Sequence, residues 1–201
     1  MKFIVAGSQE AFVELSTGLD HLEWQHVPHS QDFAKHADAN AFFNLNEDAW
    51  QESYTSLQGP VFINSVINPL GSNTNAIRFN GWTGFINHSN WEIAGDLTDA
   101  ANDVLKALNK NCILTTDEPG FISARIVAMI INEAWYALGE DISTEAEIDI
   151  AMKLGTNYPY GPFEWGHIIG IKNIYNLLQT MAEENKKYTP APRLQQLIQA
   201  Q

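Results

Sequence analysis

The chain has 201 residues, with 24 acidic against 11 basic side chains, a net charge of −13 and 45% hydrophobic residues. That apolar content excludes an intrinsically disordered chain, and the acidity argues against a nucleic-acid partner, whose phosphates call for a basic face. Cys112 is the single cysteine, which excludes an intramolecular disulfide and fits a reducing compartment.

From the N-terminus, Lys2–Ala6 is too short an apolar run for a signal peptide and reads as a first strand. Phe12, Leu15 and Leu19 follow it at helical spacing. Further short runs rich in β-branched and aromatic residues fall at 22–27, 41–45, 60–66, 76–82, 91–94 and 112–116. A helix over about 99–108, with Thr98 as its cap, precedes the last of these. Strands alternating with helices predict a mostly parallel α/β layer. Cys112 opens the last run and reads as a residue of a buried strand.

The texture changes at Pro119, after which strand signals vanish. A helix over about 120–139 is apolar nearly all round, which predicts burial on more than one side, by its own domain or by a partner subunit. Gly139 ends it, Ser143 and 145–151 open the next helix, and Tyr158–Gly161 is a Pro/Gly turn. Helices around 164–169 and 172–184 follow, and Pro190 and Pro192 introduce a short terminal helix. The longest apolar run, 126–131, is far below the roughly 18–20 residues of a membrane span, so the expectation is a cytoplasmic protein with no membrane partner. The predicted organisation is an α/β domain over 1–118 and an all-α domain over 119–201.

The second domain carries a set of spaced blocks. They are Pro119-Gly120-Phe121-Ile122-Ser123-Ala124-Arg125, Ile131-Asn132-Glu133-Ala134, Glu147 to Gly155, Tyr158-Pro159-Tyr160-Gly161-Pro162-Phe163-Glu164 and Ile169-Gly170. Their order and spacing resemble the C-terminal domain of the 3-hydroxyacyl-CoA (3-hydroxybutyryl-CoA) dehydrogenases. More weakly, Ile63-Asn64-Ser65, the stretch from Arg78 to Ile93 and 112–117 resemble the end of that family's Rossmann domain. The resemblance implies a shortened Rossmann-like domain and a helical domain of the 6-phosphogluconate dehydrogenase C-terminal type. It also implies a homodimer through the helices, NAD as cofactor, an acyl-CoA-like ligand and oxidation of a 3-hydroxyl group.

Measured against that family, several positions differ. Its dinucleotide turn reads G-x-G-x-x-G, because glycines let backbone approach a pyrophosphate. Here Val5-Ala6-Gly7-Ser8-Gln9-Glu10 keeps one glycine, Gly7, as the cofactor-binding candidate, and brings an acid where phosphate would sit. The acid expected after the second strand is replaced by Pro28-His29-Ser30. These departures argue against the family's manner of NAD binding. Gly7 also has the simpler reading of a residue that permits a tight turn.

The family's general base is a histidine just after a strand, oriented by a glutamate on the next strand. Glu92 matches the glutamate, while Arg78, Phe79, Asn80 and Gly81 fill the region of the histidine. His88, four residues before Glu92, is the candidate for a relocated base, or else an ordinary histidine in a polar turn. Asn64 and Ser65 are the substrate-binding candidates by resemblance. Ala124 stands where the substrate-carbonyl asparagine belongs, and Val66 where a serine is expected. No metal site is expected, although His21, His26, His29 and His36 lie within sixteen residues, because no cysteine or paired acid completes a ligand set.

The expected function is therefore a divergent homologue impaired in NAD-dependent oxidation, with acyl-CoA-like ligand binding retained. The alternatives are an active dehydrogenase built on His88 and Glu92, and a non-enzymatic dimerising module.

Overall fold

The computed structural model describes residues 1–71 and 75–200. The chain divides into two compact units, Met1–Phe121 and Ile122–Gln201.

The first unit is a seven-stranded sheet. Its strands are β1 (Lys2–Ala6), β2 (Glu23–Val27), β3 (Ala41–Asn44), β4 (Val61–Asn64), β5 (Ala76–Phe79), β6 (Asn90–Ala94) and β7 (Asn111–Leu114). They lie in the order β2-β1-β3-β4-β5-β6-β7, parallel throughout except where β5 meets β6. Strands β1, β3, β4 and β5 are buried along their whole or nearly their whole length, so they read as continuous apolar runs instead of alternating ones.

The two faces of this sheet are covered differently. One carries Phe3, Val5, Phe43, Phe62, Phe79, Trp91 and Ile93, packed against Leu15 of α1 (Gln9–Ser16) and Val104 and Leu105 of α2 (Asp99–Ala107). Phe43 stacks on Phe62 at 5.1 Å and Phe79 on Trp91 at 4.5 Å. The other face carries Ile4, Ala6, Phe42, Val61 and Ile63. It is closed by Phe33 from a 3-10 turn over Ser30–Lys35, and by Ala49 and Tyr54 from and beyond a second such turn over Ala49–Gln51. Parallel strands are usually linked by full helices. Here the links after β2 and β3 have shrunk to 3-10 turns, which is how seven strands fit into so short a unit.

One expectation needs correction. Strand β7 is at the sheet edge and largely exposed, with Ile113 at 41% and Leu114 at 65% exposure. Cys112 is half-buried in it and packs at the margin of the core, and burial raises its thiol pKa. The apolar run reflected β-propensity, while edge position, which no local pattern encodes, decided the burial.

The second unit is helical: α3 (Ser123–Gly139), α4 (Glu145–Thr156), α5 (Pro162–Ile169), α6 (Ile171–Glu184) and α7 (Pro192–Gln199). Its core comprises Val127, Ile131, Trp135, Phe163, Ile174, Leu177, Leu178 and Leu194. Helix α3 starts three residues later than its apolar pattern, because Gly120 and Phe121 adopt positive φ (86° and 49°) and break the helical path. Its end runs through Gly139 to a cap at Glu140. Thr144 caps α4 in a reciprocal box with Glu147. No described helix is long and apolar enough to cross a membrane.

Candidate functional site

Open parallel sheets bind ligands outside the carboxyl ends of their strands. In this sheet that edge is a row of amides and one acid. Gly7 follows β1, Asn44 and Asn64 end β3 and β4, and Asn80 follows β5. Glu92 lies opposite Asn80, whose backbone amide donates to the Glu92 carbonyl at 3.3 Å. Because β6 runs antiparallel to β5, the start of β6 returns to the same edge. Asn44, Asn64, Asn80 and Glu92 are all buried.

The asparagines knit the edge together. Asn64 Nδ2 donates to the Leu45 carbonyl at 3.3 Å, and its Oδ1 accepts from Gly81 N at 3.2 Å. Ser65 donates its hydroxyl to the Asn68 carbonyl at 2.6 Å. Asn80 Oδ1 accepts from Trp82 N at 3.4 Å. Asn64 and Ser65 thus serve their own strand-to-loop turn. His88 is exposed, with its ring against Phe85 at 5.6 Å, and its carbonyl accepts from Lys110 Nζ at 2.9 Å. Glu92 is buried and His88 exposed, so the two candidate residues occupy unlike surroundings along one turn and strand.

At the first βα turn, Gly7 has φ of +150°, and a Cβ there would meet Leu45 Cβ at 2.8 Å. The glycine is required by the neighbouring strand end. The amides at the start of α1 are engaged by the chain itself. Ser8 Oγ accepts from Ala11 N at 3.2 Å, and the Glu10 carboxylate takes its own backbone amide and the Ser8 hydroxyl, which holds its pKa below the ordinary value. Free amides at a helix start are what receive an anion. Beside this turn His26 Nε2 donates to the Gly7 carbonyl at 2.8 Å, and its ring stacks on Phe12 at 5.0 Å.

Arg78, in the stretch that corresponds to the family's histidine, is completely buried. Its guanidinium donates to Asp117 Oδ1 at 2.5 Å, to the Glu118 carbonyl at 2.5 Å and to the Ser65 carbonyl, and lies 4.2 Å over the Phe121 ring. Burial pulls its pKa down while Asp117 opposes that shift.

A polar cluster that local sequence patterns do not mark lies on the second sheet face. Ser30 donates to Glu52, Asn44 Nδ2 donates to Glu52 Oε1 at 3.1 Å and to Tyr54 Oη at 2.9 Å, and Tyr54 donates to the Ala49 carbonyl at 2.8 Å. Burial pushes the Tyr54 phenol far above its ordinary value. A cavity of about 300 Å³ adjoins it, lined by Ser30, Phe33, Glu52, Tyr54 and Leu57 among others. These contacts span up to 22 residues of sequence. Among the described residues no group of three histidine, cysteine or acidic side chains could hold a metal.

In the helical unit the motif residues perform caps and anchors. Asp149 accepts from Phe163 N at 2.8 Å and Glu164 N at 3.1 Å, closing the start of α5. A Cβ at Gly161 would come within 2.4 Å of the Asp149 side chain. Glu164 accepts from Gly161 N at 3.0 Å and pairs with Lys153 at 2.6 Å. Asn132 donates to the Thr189 carbonyl at 3.0 Å and accepts from Ala191 N at 2.8 Å, fastening the Pro190–Pro192 segment to α3. Tyr158 and Tyr160 pack on Trp165, while Phe163 packs on Trp135. Ala124 is buried.

The architecture is thus a Rossmann-like, mostly parallel layer followed by a helical unit held by these caps. Residues 120–201 match the family model for the C-terminal domain of 3-hydroxyacyl-CoA dehydrogenase. By sequence the helical unit is thus similar to that family's C-terminal domain, while the α/β unit shares a fold with solved members. It is 42% identical over 94 residues to the 3-hydroxyadipyl-CoA dehydrogenase of Escherichia coli K12, covering 46% of this chain and 20% of that protein. To the 3-hydroxybutyryl-CoA dehydrogenase of Clostridioides difficile it is 34% identical over 115 residues, 54% of this chain and 41% of the other. The aligned part is thus less than half the length of either relative. In fold it is similar to Mycobacterium tuberculosis FadB2, with a TM-score of 0.74 at 14% identity, covering 98% of this chain and 93% of that one. It is also similar to the (S)-3-hydroxybutyryl-CoA dehydrogenase of Ralstonia eutropha, with a TM-score of 0.71 at 17% identity and coverage of 99% and 93%.

Proposed function

We propose that this chain is a divergent 3-hydroxyacyl-CoA dehydrogenase homologue that does not hold NAD in the family's manner and is impaired in the parent oxidation. One observation carries this reading: Ser8 and Glu10 occupy the amides at the start of α1, where a dinucleotide's pyrophosphate would have to bind. A second phosphate-like charge there would face the Glu10 carboxylate, and Gly7 is committed to Leu45. The residues at this turn do not fit the cofactor. What remains is a cytoplasmic two-unit scaffold that takes an acyl-CoA-like ligand and pairs with itself through its helices. Ile122, Ile126, Ile150 and Leu154, exposed at 49%, 55%, 54% and 82%, supply apolar surface for such pairing.

Calorimetric titration with NADH tests this directly. The expected result is no saturable heat at tens of micromolar NADH, and a clear micromolar isotherm would overturn the reading. One specific observation favours the active alternative, namely that Glu92 is buried at the carboxyl edge beside Asn80. If His88 and Glu92 form a relocated acid–base pair, acetoacetyl-CoA-dependent NADH oxidation is measurable and collapses in Glu92→Gln.

A further inference from the structure

The helical unit carries a partly open cavity of about 160 Å³ lined by Trp135, Glu145, Phe163, Gly166, His167, Ile171 and Leu197, of which Glu145, His167 and Leu197 are exposed. Three helices and the first residues of two more contribute to it, and none of these residues belongs to the sheet edge described above. A void of this size is comparable to an engineered apolar cavity of about 150 Å³ that takes up benzene. The walls are chemically uneven. Phe163, Ile171 and Leu197 are apolar. Trp135 is only 7% exposed, and its Nε1–H is buried with no hydrogen-bond acceptor among the described residues. A buried donor left unmet costs about 1–3 kcal/mol, so such groups are normally satisfied by protein, water or ligand.

The opposite polarity is also present. His167 Nδ1 lies 2.8 Å from the Phe163 carbonyl, an acceptor, so the ring must donate through Nδ1. In the neutral ring that leaves Nε2 as a lone-pair acceptor. The residues that line the cavity therefore include one with an unmet donor and one, the exposed His167, with an available acceptor. A second hollow shares Trp135, Glu145 and Leu197 and opens past Arg193 and Gln196, which gives the cavity a polar mouth.

We propose that this cavity is a binding site for a compact aromatic or branched apolar molecule bearing a hydroxyl or carbonyl oxygen. The oxygen accepts from Trp135 Nε1, a ligand hydroxyl donates a hydrogen bond to His167 Nε2, and the hydrocarbon body rests on Phe163, Ile171 and Leu197. The proposal is independent of what the sheet edge binds, since every residue used lies in the helical unit.

The test titrates phenol and toluene into the full chain, following the indole ¹H–¹⁵N resonances by NMR, with Trp135→Phe identifying the Trp135 signal among the six tryptophans. Phenol is expected to saturate and shift that signal, and to bind roughly fivefold to tenfold more tightly than toluene, the difference a single net hydrogen bond supports. In Trp135→Phe the preference for phenol over toluene should vanish while toluene still binds. Leu197→Trp, at a partly exposed position, should fill the void and abolish binding of both without loss of helical circular dichroism. Three results would each overturn the proposal: no saturable phenol shift, an unchanged phenol preference in Trp135→Phe, or a Trp135 signal that responds only to protein concentration. The last would mean that a second copy of the chain fills the cavity.

Discussion

Arg78 and Asp117 form an ion pair at 2.5 Å in which the guanidinium is wholly buried and the carboxylate is one-third exposed. The pair joins the end of β5 to the segment that follows β7, and Asp117 Oδ2 also accepts from Leu70 N at 2.8 Å. With the Ser65 and Glu118 carbonyls and the Phe121 ring added, one cation gathers three separate chain segments. Arg78→Met leaves the Ser65 and Glu118 carbonyls without their donor, at about 1–3 kcal/mol for each buried acceptor left unmet, while the one-third exposed Asp117 can turn to solvent. Arg78→Met should therefore lower stability by about the sum of the two in urea unfolding, with collapse of the α/β unit before the helical one. Asp117→Asn keeps one acceptor and should cost less than half as much. Equal losses from the two substitutions would show that the cation is not the organising partner.

Asp149 and Gly161 make a second fixed relationship, because the carboxylate that caps α5 fills the space a side chain at 161 would need. Asp149→Ala leaves two amides of α5 without their acceptor, and a loss of about 2–3 kcal/mol is expected in thermal or urea unfolding. Gly161→Ala should be at least as damaging alone, since its Cβ overlaps the Asp149 side chain. In the double variant the clash is gone, so the combined loss should fall well short of the sum. Additive losses would mean that the two residues are not in contact in solution.

These caps explain why the resemblance of the helical unit was legible in the sequence while the site was not. Asp149, Gly161, Pro162 and Glu164 act within one helix–turn–helix stretch, so their spacing survives as a readable motif. The strands were legible for the same reason, being short apolar runs bounded by turn residues. The position of Cys112 at an edge, the Ser30–Glu52–Asn44–Tyr54 network and the role of Arg78 depend on which strands become neighbours, and no local periodicity carries that. Arg78 in particular occupies the stretch that corresponds to the family's histidine, and only the fold shows what its five donors reach.

Two acids of the helical unit give a pH dependence with a defined sign. Glu147 is held below the ordinary 4.5 by the Ser143 hydroxyl first, then by the Thr144 amide and hydroxyl. Glu164 is lowered chiefly by Lys153, then by the Gly161 amide. A folded pKa below the unfolded one means stability that is complete above the unfolded pKa and is lost as pH falls through the folded one. The melting temperature of the helical unit should thus be flat from pH 7 to about 5 and should fall below about 4.5. Glu147→Gln with Glu164→Gln should lower the neutral-pH plateau and flatten the acid decline. A double variant that declines as steeply as the parent chain would place the acid sensitivity elsewhere.

Ile150 and Leu154 lie four residues apart on α4 and are exposed at 54% and 82%, so they present one apolar face on a helix whose Asp149 is turned inward. Contiguous apolar surface of this kind marks an interaction site more often than it marks a free surface. Under the proposed self-association, light scattering of the parent chain reports a dimer. Leu154→Glu combined with Ile150→Glu should shift it to monomer while leaving helical content intact, because neither side chain contributes to the core. Burying two carboxylates in an apolar contact without partners costs several kcal/mol, enough to raise the dissociation constant by at least a thousandfold. A parent chain that is monomeric at high micromolar concentration, or a double variant that remains dimeric, would remove this face from the interface.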